Sequence, residues 1–426
     1  MDNCKPYYQA YLDILAEELK PAMGCTEPIA LAYAAAKARQ LLGTLPEKVT
    51  IGASGSIIKN VKSVYVPNTG HLKGIPAAVA AGIVAGDADK QLEVLSTVND
   101  TQIAEIKSYL DTTPIELTHI NNGLTFDIVI TVYAKGSSAM VRIVNYHTNI
   151  VHMEKDGEVL HDIPVSGEDE QNLTDRSILN MENIWEFVHT VKIEDVKPIL
   201  DPQISKNMAI AEEGLTNDYG ATIGKTLLSL DDSSVRTKAR AYAAAGSDAR
   251  MSGCELPVII NSGSGNQGIT ASVPVIIYAQ DLGADEETLY RALTLSNLTT
   301  IHQKTSIGRL SAYCGAVSAA AGAGAGIAYL CGGTFEEVTN TVVNSIATIS
   351  GMVCDGAKAS CAAKSAEAVD TAILAYQMAK KGVVFSEGDG LVSTNTENTI
   401  SNIGRLAKQG MEKTNEEIIQ IMINDK

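Results

Sequence analysis

The sequence predicts an α+β protein made of a strand-rich segment followed by a long helical segment. Between Glu47 and Pro164, short apolar runs alternate with turn sequences, which is typical of an α+β domain with a largely antiparallel sheet. After Asp175, nearly every stretch has the apolar spacing of a helix. Alanine and glycine are abundant while aromatic residues make up only 5% of the chain, so we expect closely packed helices with small contact residues.

Two helices precede the strand-rich segment. Apolar spacing predicts the first over Tyr7–Glu18, and we expect the second from about Glu27 to Leu42. Thr26 is a suitable N-cap for the second helix, and Pro28 falls in its first turn, where a missing N–H group does no harm. Cys25 would then lie at a helix N-terminus, where the dipole and free N–H groups lower the pKa of a thiol. The alternative is that Cys25 is a small residue in a tight turn.

Turn residues divide the rest of the chain into elements. The predicted strands are Val49–Ile51, Ser63–Val66, Leu92–Val98, Pro114–Ile120, Phe126–Tyr133, Ala139–Asn145 and Ile150–Glu154, with helices at Ile75–Gly86 and Thr101–Leu110. The polar, acidic stretch Ser166–Asp175 predicts a linker. Beyond it the predicted helices are Ile178–Val191, Ser205–Leu215, Thr222–Leu230, Val235–Met251, Gln267–Gln280, Glu286–Leu298, Cys314–Leu330, Thr334–Ser350, Cys361–Lys380, Asn395–Met411 and Asn415–Ile423.

Two uncharged stretches, Leu256–Gln280 and Leu310–Gly333, are long enough to span a membrane. Both are rich in Gly, Ala, Ser and Asn, and the first contains NSGSGNQG in its middle. We therefore predict buried helices rather than membrane spans.

Charge and cysteine content narrow the class of function. The 426 residues carry a formal net charge of −17, which argues against binding to nucleic acid or to anionic membranes and favours small-molecule chemistry. Seven cysteines without a dense framework indicate a reducing compartment. The N-terminus has no basic segment followed by an apolar one, so we expect no signal peptide and a cytoplasmic protein.

Three cysteines are candidates for a metal cluster. Cys354 and Cys361 flank a short polar turn, and on an unbroken helix their backbones would stand about 10 Å apart. Gly356 breaks such a helix, so we predict a loop that folds Cys354 back toward a helix starting near Ser360. Cys314 precedes an Ala/Gly-rich helix further upstream. The three thiols fit either a metal cluster or ordinary buried cysteines, because the spacing matches none of the tight zinc or ferredoxin patterns.

The stretch Asn261–Gly268 predicts an anion site. It interleaves glycines with Ser, Asn and Gln directly before a helix expected from about Gln267, and N–H groups at such a turn attract anions. It has neither the P-loop pattern nor the GxGxxG spacing, so a carboxylate fits better than a polyphosphate. The alternative is a plain Gly-rich connection. Three lysines, Lys59, Lys304 and Lys358, have few charged neighbours in the sequence, and each either pairs a substrate carboxylate or reaches solvent.

Five separated stretches carry a family resemblance. They are GCTEPIALA (Gly24–Ala32), SGSIIKN (Ser54–Asn60), NSGSGNQGITASVPV (Asn261–Val275), YCGAVSAAAGAGAG (Tyr313–Gly326) and GMVCDGAKASCA (Gly351–Ala362). In this order, and over nearly the whole chain, they resemble the L-cysteine desulfidase family, which is related to the α chain of the iron–sulfur L-serine dehydratases. The two late cysteines stand closer together than in the dehydratases, and GCTEP stands roughly where those have a Ser/His-rich motif.

The resemblance implies a [4Fe–4S] cluster used for non-redox lyase chemistry. It also implies an all-α catalytic domain into which an α+β domain is inserted. The expected units are residues 1–45, as N-terminal helices of the catalytic domain, residues 46–165, as the α+β domain, and residues 175–426, as the cluster-binding catalytic domain. We also expect the protein to form a homo-oligomer, namely a dimer.

Carried over by motif, the resemblance implies that Cys314, Cys354 and Cys361 bind the cluster. It leaves Cys25 as either a fourth ligand or the catalytic base. We favour the base, because a cluster acting as a Lewis acid needs one iron without a protein ligand. The remaining motif positions are predicted to bind substrate: Thr26, Glu27, Lys59, Asn60, Asn261, Ser262, Gly263, Ser264, Gly265, Asn266 and Lys358.

The predicted reaction converts L-cysteine and water into pyruvate, ammonia and hydrogen sulfide. The first competing hypothesis is an L-serine dehydratase with the same chemistry and a poorer leaving group. The second is a cluster-bearing sensor that binds an amino acid without turning it over. The third is a membrane transporter built from the uncharged helices.

Overall fold

The computed structural model describes residues 6–165, 173–308 and 311–424 and confirms the α+β class. Its helices are α1 (Tyr8–Glu18), α2 (Thr26–Leu42), α3 (Gly55–Val61), α4 (Gly74–Ala85), α5 (Asp100–Thr112), α6 (Met181–Thr190), α7 (Ile193–Thr216), α8 (Ile223–Leu230), α9 (Val235–Met251), α10 (Gly265–Leu282), α11 (Glu286–Ile307), α12 (Gly315–Leu330), α13 (Phe335–Ile349), α14 (Ser360–Ala379), α15 (Thr396–Arg405) and α16 (Glu412–Asn424). Its strands are β1 (Pro21–Met23), β2 (Lys48–Ser54), β3 (Ile115–Ile120), β4 (Asp127–Ala134), β5 (Ser137–Val144), β6 (Ile150–Lys155), β7 (Glu158–Asp162) and β8 (Pro257–Ile259). Most of the predicted linker Ser166–Asp175 lies outside the described residues.

Six of these strands form one sheet in the order β3-β2-β4-β5-β6-β7. Strands β2 and β3 run parallel, and each of the other neighbouring pairs is antiparallel, so the prediction of a largely antiparallel sheet is confirmed. The inward side chains of β2, β4 and β5 are fully buried and pack with helices α2 and α4. This alternation of buried and more exposed positions is what a sheet with one covered face requires.

The buried apolar residues form two large cores, and the N-terminal helices are divided between them. Tyr11, Ile14 and Leu15 of α1 belong to the core of the helical unit. Helix α2, from Ile29 onward, belongs instead to the core of the sheet unit. The sequence analysis grouped residues 1–45 with the helical domain, and the packing of α2 departs from that grouping because its Ala-rich face fits closely against α4 and the sheet. The domain boundaries themselves stay a prediction.

Small residues allow the helices to approach closely, as the composition predicts. A Cβ atom on Gly82 of α4 would stand 2.1 Å from the carbonyl oxygen of Ala32 in α2. In the helical unit, a Cβ atom on Gly322 of α12 would stand 2.4 Å from the carbonyl oxygen of Ser296 in α11. Any larger residue at these two crossings would force the backbones apart.

Two predicted strands are wrong. Residues Ser63–Val66 form an irregular segment in which Tyr65 makes an isolated bridge to Lys73. The segment Leu92–Val98 begins inside a 3-10 helix at Ala88–Glu93 and continues as turns. In both segments the apolar residues are buried without ladder pairing, so their pattern reflected burial rather than a strand.

The two long uncharged stretches are buried helices, as predicted. They correspond to α10, preceded by β8, and to α12, and most of their residues are inaccessible to solvent. No helix in the described part of the chain combines the length and the apolar character needed to cross a membrane.

Candidate active site

A cavity of about 120 Å³ lies where the helical unit meets α2 and α3 of the sheet unit. It brings together residues that are far apart in the sequence. Among the predicted site residues, those lining it are Cys25, Thr26, Glu27, Lys59, Asn60, Gly263, Ser264, Asn266, Cys314, Cys354 and Cys361. Four of the predicted site residues, Asn261, Ser262, Gly265 and Lys358, are not part of its lining.

Short β contacts hold these segments next to one another. Strand β1, which precedes Cys25, pairs with β8, which precedes Asn261, and Ala22 stands opposite Val258. The guanidinium of Arg250, near the end of α9, donates to the Gly24 carbonyl oxygen at 2.8 Å. The N-terminal cysteine segment is thereby fixed against the segment that carries the Gly-rich turn.

A second contact places two of the thiols. Tyr313 and Val353 form an isolated antiparallel bridge. On either side of it, the Cys314 N–H donates to the Met352 carbonyl at 3.1 Å and the Cys354 N–H donates to the Ala312 carbonyl at 2.6 Å. The strand-like pairing therefore brings Cys314 and Cys354 to the same wall of the cavity, although forty positions separate them.

The loop from Cys354 to Cys361 folds as the sequence predicts. Helix α14 begins at Ser360, and Gly356 has a φ of +91°, a conformation that favours glycine. A Cβ atom on Gly356 would also stand 2.3 Å from the carbonyl oxygen of Lys59. Glycine at this position thus allows the loop to lie directly on α3, and Cys361 returns to the cavity at the start of α14.

The donor set fits an iron–sulfur cluster. Cys314, Cys354 and Cys361 all face the cavity, and thiolates are the usual ligands of such clusters. Burial raises the pKa of the Cys314 thiol to about 12, and the negative charges of Cys354 and Cys361 add to this shift. Thiols that line one cavity would gain from a cationic metal centre, because it stabilises their deprotonated forms.

Within the described residues, no group of three or more His, Cys, Asp or Glu side chains is arranged to hold a single metal ion. A cluster distributes its thiolate ligands over several iron atoms, so its ligands need not converge on one point. The donor set therefore differs from that of a mononuclear site, and the assignment of the three thiols as cluster ligands stays a prediction.

Cys25 is at a helix N-terminus, but its pKa is not lowered. Cys25 is itself the N-cap of α2, one position before the predicted N-cap Thr26, and it is only 2% exposed. Burial raises the pKa of the Cys25 thiol to about 12, while the positive charge of Arg250 opposes the shift. The expectation of a lowered pKa is wrong because the loss of hydration outweighs the helix N-terminus.

Lys59 faces inward from α3 and is bound on all sides by protein acceptors. Its ammonium group donates to the Asn415 Oδ1 at 2.7 Å, to the Cys354 carbonyl at 3.2 Å and to the Ser311 carbonyl at 3.3 Å. An ammonium group has three donors, so a substrate carboxylate could bind only by displacing one of these partners. Burial also lowers the pKa of Lys59. In this geometry Lys59 joins the Cys354 loop to the C-terminal helix α16, and its role as a substrate contact stays a prediction.

Replacing Lys59 by methionine should test this arrangement. We expect the free energy of unfolding to fall by about 2 kcal/mol, because the buried acceptors lose their donor. Removal of the buried charge offsets part of this loss. Urea denaturation followed by circular dichroism measures the change. The matched control is Lys107→Met, at an exposed position of α5, with an expected effect within about 0.5 kcal/mol. A Lys59→Met protein as stable as wild type would contradict the structural role.

The Gly-rich stretch forms a tight turn followed by a helix. Asn261 and Ser264 exchange two backbone hydrogen bonds of 3.1 Å each, and Ser262 and Gly263 between them have φ values of +49° and +80°. The N–H groups of Asn261 and Ser264 are thus used inside the turn. The anion-binding potential shifts to the first residues of α10, which begins at Gly265 and whose leading N–H groups have no acceptor within the helix.

The other three predicted substrate contacts outside the cavity have different surroundings. Asn261 is fully buried and donates to Asn297 Oδ1 at 2.9 Å, which makes it part of the core. Ser262 lines a neighbouring cavity of about 240 Å³. Lys358 donates to the Lys59 carbonyl at 3.4 Å, so its ammonium group supports the loop backbone. Lys304 lines both cavities and lies at their junction.

The sequence analysis missed Arg250 and Gln267 as site residues. Both line the cavity, and each is 6% exposed. Gln267 lies inside the Gly-rich stretch but was assigned only as a helix start. Arg250 had a signal of its own, because it ends the alanine-rich stretch AYAAAGSDAR, where a buried helix carries a charge.

The fold and the site together define an α+β protein in which thiols from separate segments line one cavity beside a helix N-terminus. The model of the family described as "Serine dehydratase alpha chain" matches residues 89–420. The chain belongs to the serine dehydratase α-chain family. The matched range includes Cys314, Cys354 and Cys361 and leaves out Cys25. The relation to the dehydratases is thereby confirmed, and with it a relation to iron–sulfur amino-acid lyases.

Similar proteins cover the whole chain. A protein named UPF0597 from Desulfitobacterium hafniense (strain Y51) is 56% identical over 424 residues, which are 100% of this chain and 99% of that protein. A UPF0597 protein from Lachnoclostridium phytofermentans is 50% identical over 417 residues, with 98% and 100% covered. One from Treponema denticola is 46% identical over 427 residues, with 99% of each covered.

Proposed function

We propose that this protein is an L-cysteine desulfidase. It would convert L-cysteine and water into pyruvate, ammonia and hydrogen sulfide, with a [4Fe–4S] cluster held by Cys314, Cys354 and Cys361. The observation that supports this most is that these three thiols, Cys25 and the N-terminal residues of α10 line one small cavity. An amino acid held there would have its α carbon and its sulfur close to different thiols.

The chain's own residues supply binding and proton transfer. The N–H groups at the start of α10 would hold the substrate carboxylate, because a helix N-terminus favours an anion. Cys25, as its thiolate, would accept the proton from the α carbon. Burial raises the pKa of the Cys25 thiol, and the positive charges of Arg250 and Lys358 oppose this shift and favour the thiolate that the proton transfer requires. A bound cluster supplies a Lewis acid for the leaving group.

The elimination balances without an oxidant. The Cα–H bond breaks, its electrons form the Cα–Cβ double bond, and the Cβ–S bond breaks to release hydrosulfide. The remaining aminoacrylate takes up a proton at Cβ to become an imine, and water hydrolyses the imine to pyruvate and ammonia.

L-Serine is the second candidate substrate, because the matching family is described as a serine dehydratase chain. The same residues would remove its α proton, with hydroxide in place of hydrosulfide as the leaving group. Hydroxide leaves less readily, so we propose that cysteine is the better substrate.

The test is anaerobic reconstitution with iron and sulfide, a visible spectrum, and assays of both substrates. We expect a brown protein that releases sulfide and pyruvate from L-cysteine, and pyruvate more slowly from L-serine. A brown protein that acts on serine alone would favour the dehydratase. A brown protein inert to both would favour the sensor, and a protein that binds no iron would overturn the proposal.

A further inference from the structure

A second cavity, of about 240 Å³, adjoins the candidate active site. The sheet unit contributes Thr125 and the segment Asn145 and Tyr146 after β5 to its lining, and the helical unit contributes the end of α11. Among the described residues, no cysteine belongs to this lining. A cavity of about 150 Å³ can hold benzene, so the second cavity has room for a molecule of roughly eight to ten non-hydrogen atoms.

Three cationic side chains line the second cavity from three different elements. Arg176 lies in a short 3-10 helix before α6, Lys304 on α11, and Lys408 in the π-helical turn between α15 and α16. Arg176 and Lys304 are only 7% and 5% exposed, whereas Lys408 is at the surface. Glu18 is the one carboxylate among the described lining residues, so the lining is net positive. In a chain with a net charge of −17, such a concave positive site attracts anions.

The Arg176 guanidinium is held in place by neighbouring acceptors. Its Nη1 donates to the Thr174 carbonyl and contacts Glu17 Oε2 at 2.7 Å, and its Nη2 donates to Glu18 Oε1 at 2.9 Å. These contacts with described residues use three N–H groups, whereas a guanidinium has five. Glu17 is not part of the lining, and when its charge is counted as well, the cations around the cavity still outnumber the carboxylates. A fixed guanidinium of this kind suits a carboxylate.

The same charges decide which kind of molecule fits. Lys304 and Lys408 make other contacts, and an ammonium group with three donors can add an anion to them. Glu18 is already bound by Arg176. An amino group on the ligand would therefore meet three cations and a carboxylate that is already paired. The ligand that suits this lining is an anion without an amino group, which distinguishes it from an amino-acid substrate.

We propose that the second cavity binds a small dicarboxylate, at a site separate from the substrate cavity. Two carboxylates match cations that stand on different elements, and the volume suits a four-carbon diacid such as succinate. This goes beyond the proposed function, because the site uses none of the thiols and does not depend on the reaction. Lys304 lines both cavities, so the dicarboxylate binds next to the catalytic residues.

Binding of three related molecules to the purified full-length protein tests the proposal. Succinate carries two carboxylates, propionate carries one, and succinamide carries none. We expect isothermal titration calorimetry to show one succinate per chain, bound at least about tenfold tighter than propionate, because a charge-assisted contact is lost. Succinamide should not bind, and the affinity for succinate should fall as the salt concentration rises. Equal affinities for succinate and propionate, or no succinate binding at millimolar concentration, would overturn the proposal.

Single variants locate the bound succinate. Lys408→Gln should weaken succinate about three- to tenfold, because Lys408 lines only the second cavity. The matched control is Lys413→Gln, an exposed lysine of α16 outside both linings, which should leave the affinity unchanged. Arg250→Lys should also leave it unchanged, because Arg250 lines only the first cavity. Weaker binding in Arg250→Lys but not in Lys408→Gln would place the anion at the start of α10 and overturn the proposal.

Arg176→Lys is the second variant of the site itself. It keeps the positive charge and loses the N–H groups that the protein contacts leave over, so succinate should bind about tenfold more weakly. Thermal unfolding checks that each variant is folded, and succinate should raise the midpoint of the wild type. The Lys408→Gln result stands even if Arg176→Lys does not fold. A protein that binds succinate as described but converts neither L-cysteine nor L-serine keeps this site and refutes the lyase, whereas an active lyase that binds no succinate refutes only the site.

Discussion

Cys25→Ala is expected to abolish turnover of L-cysteine while leaving the iron content unchanged. Cys25 lines the cavity at the N-cap of α2 and packs with Ala357 and Cys361 of the loop that follows Cys354. The positive charges of Arg250 and Lys358 favour its thiolate. If it takes the α proton, its removal should lower kcat by about 10²- to 10⁴-fold, the range for a lost general base. The measurements are sulfide and pyruvate release together with iron per protein chain and the visible spectrum.

Cys254→Ala is the matched control for the Cys25 variant. Cys254 is buried to a similar degree but packs in the core of the helical unit, outside the cavity. Its replacement should lower stability slightly and leave both iron content and kcat near those of wild type. If Cys25→Ala instead loses its iron and its colour, Cys25 is a fourth ligand and another group must take the proton.

The chemistry-bearing residues that meet at the cavity were largely predictable from the sequence. Helix starts and glycine breaks are local signals, so the loop from Cys354 through Gly356 to Ser360 folds as expected. Motifs in separate segments also pointed to Cys25 and Cys314. The convergence of these segments on one wall required pairings, such as Tyr313 with Val353, that no local pattern encodes.

The roles of individual polar side chains were not predictable in the same way. Lys59 looked like a free cation because few charges surround it in sequence, yet its three acceptors come from positions more than 250 residues away. Asn261 looked like a ligand for an anion, yet Asn297 of α11 binds it in the core. Hydrogen-bond partners are set by tertiary packing, so residue type and local spacing cannot show which donors remain available.

The division of α1 and α2 between two cores has a consequence for the site. Cys25 and Glu27 stand at the start of a helix packed with the sheet, whereas Cys314, Arg250 and Gln267 belong to the helical unit. The lining of the cavity is therefore shared between the two units. Lys59 is an example of a residue that links elements around the cavity, because its ammonium group reaches from α3 to Asn415 of α16.

Replacing Cys314, Cys354 or Cys361 by alanine, one at a time, is expected to remove bound iron. Each thiol faces the cavity from a different backbone position, and none can move to replace another because Cys314 and Cys354 are fixed by the bridge beside them. A cluster left with two protein thiolates loses most of its binding free energy. Iron and sulfide per chain after anaerobic reconstitution should fall to near background, and turnover with them.

Cys331→Ala is the control for these three variants, because Cys331 caps the opposite end of α12 from Cys314 and does not line the cavity. It should keep the iron content and activity of wild type. Thermal unfolding of the reconstituted and iron-free proteins adds a second readout: iron should raise the midpoint of wild type and of Cys331→Ala, because a ligand that binds only the folded state stabilises it, and should not raise that of the three variants. A variant at any of the three positions that keeps full iron and the wild-type spectrum would remove that residue from the ligand set.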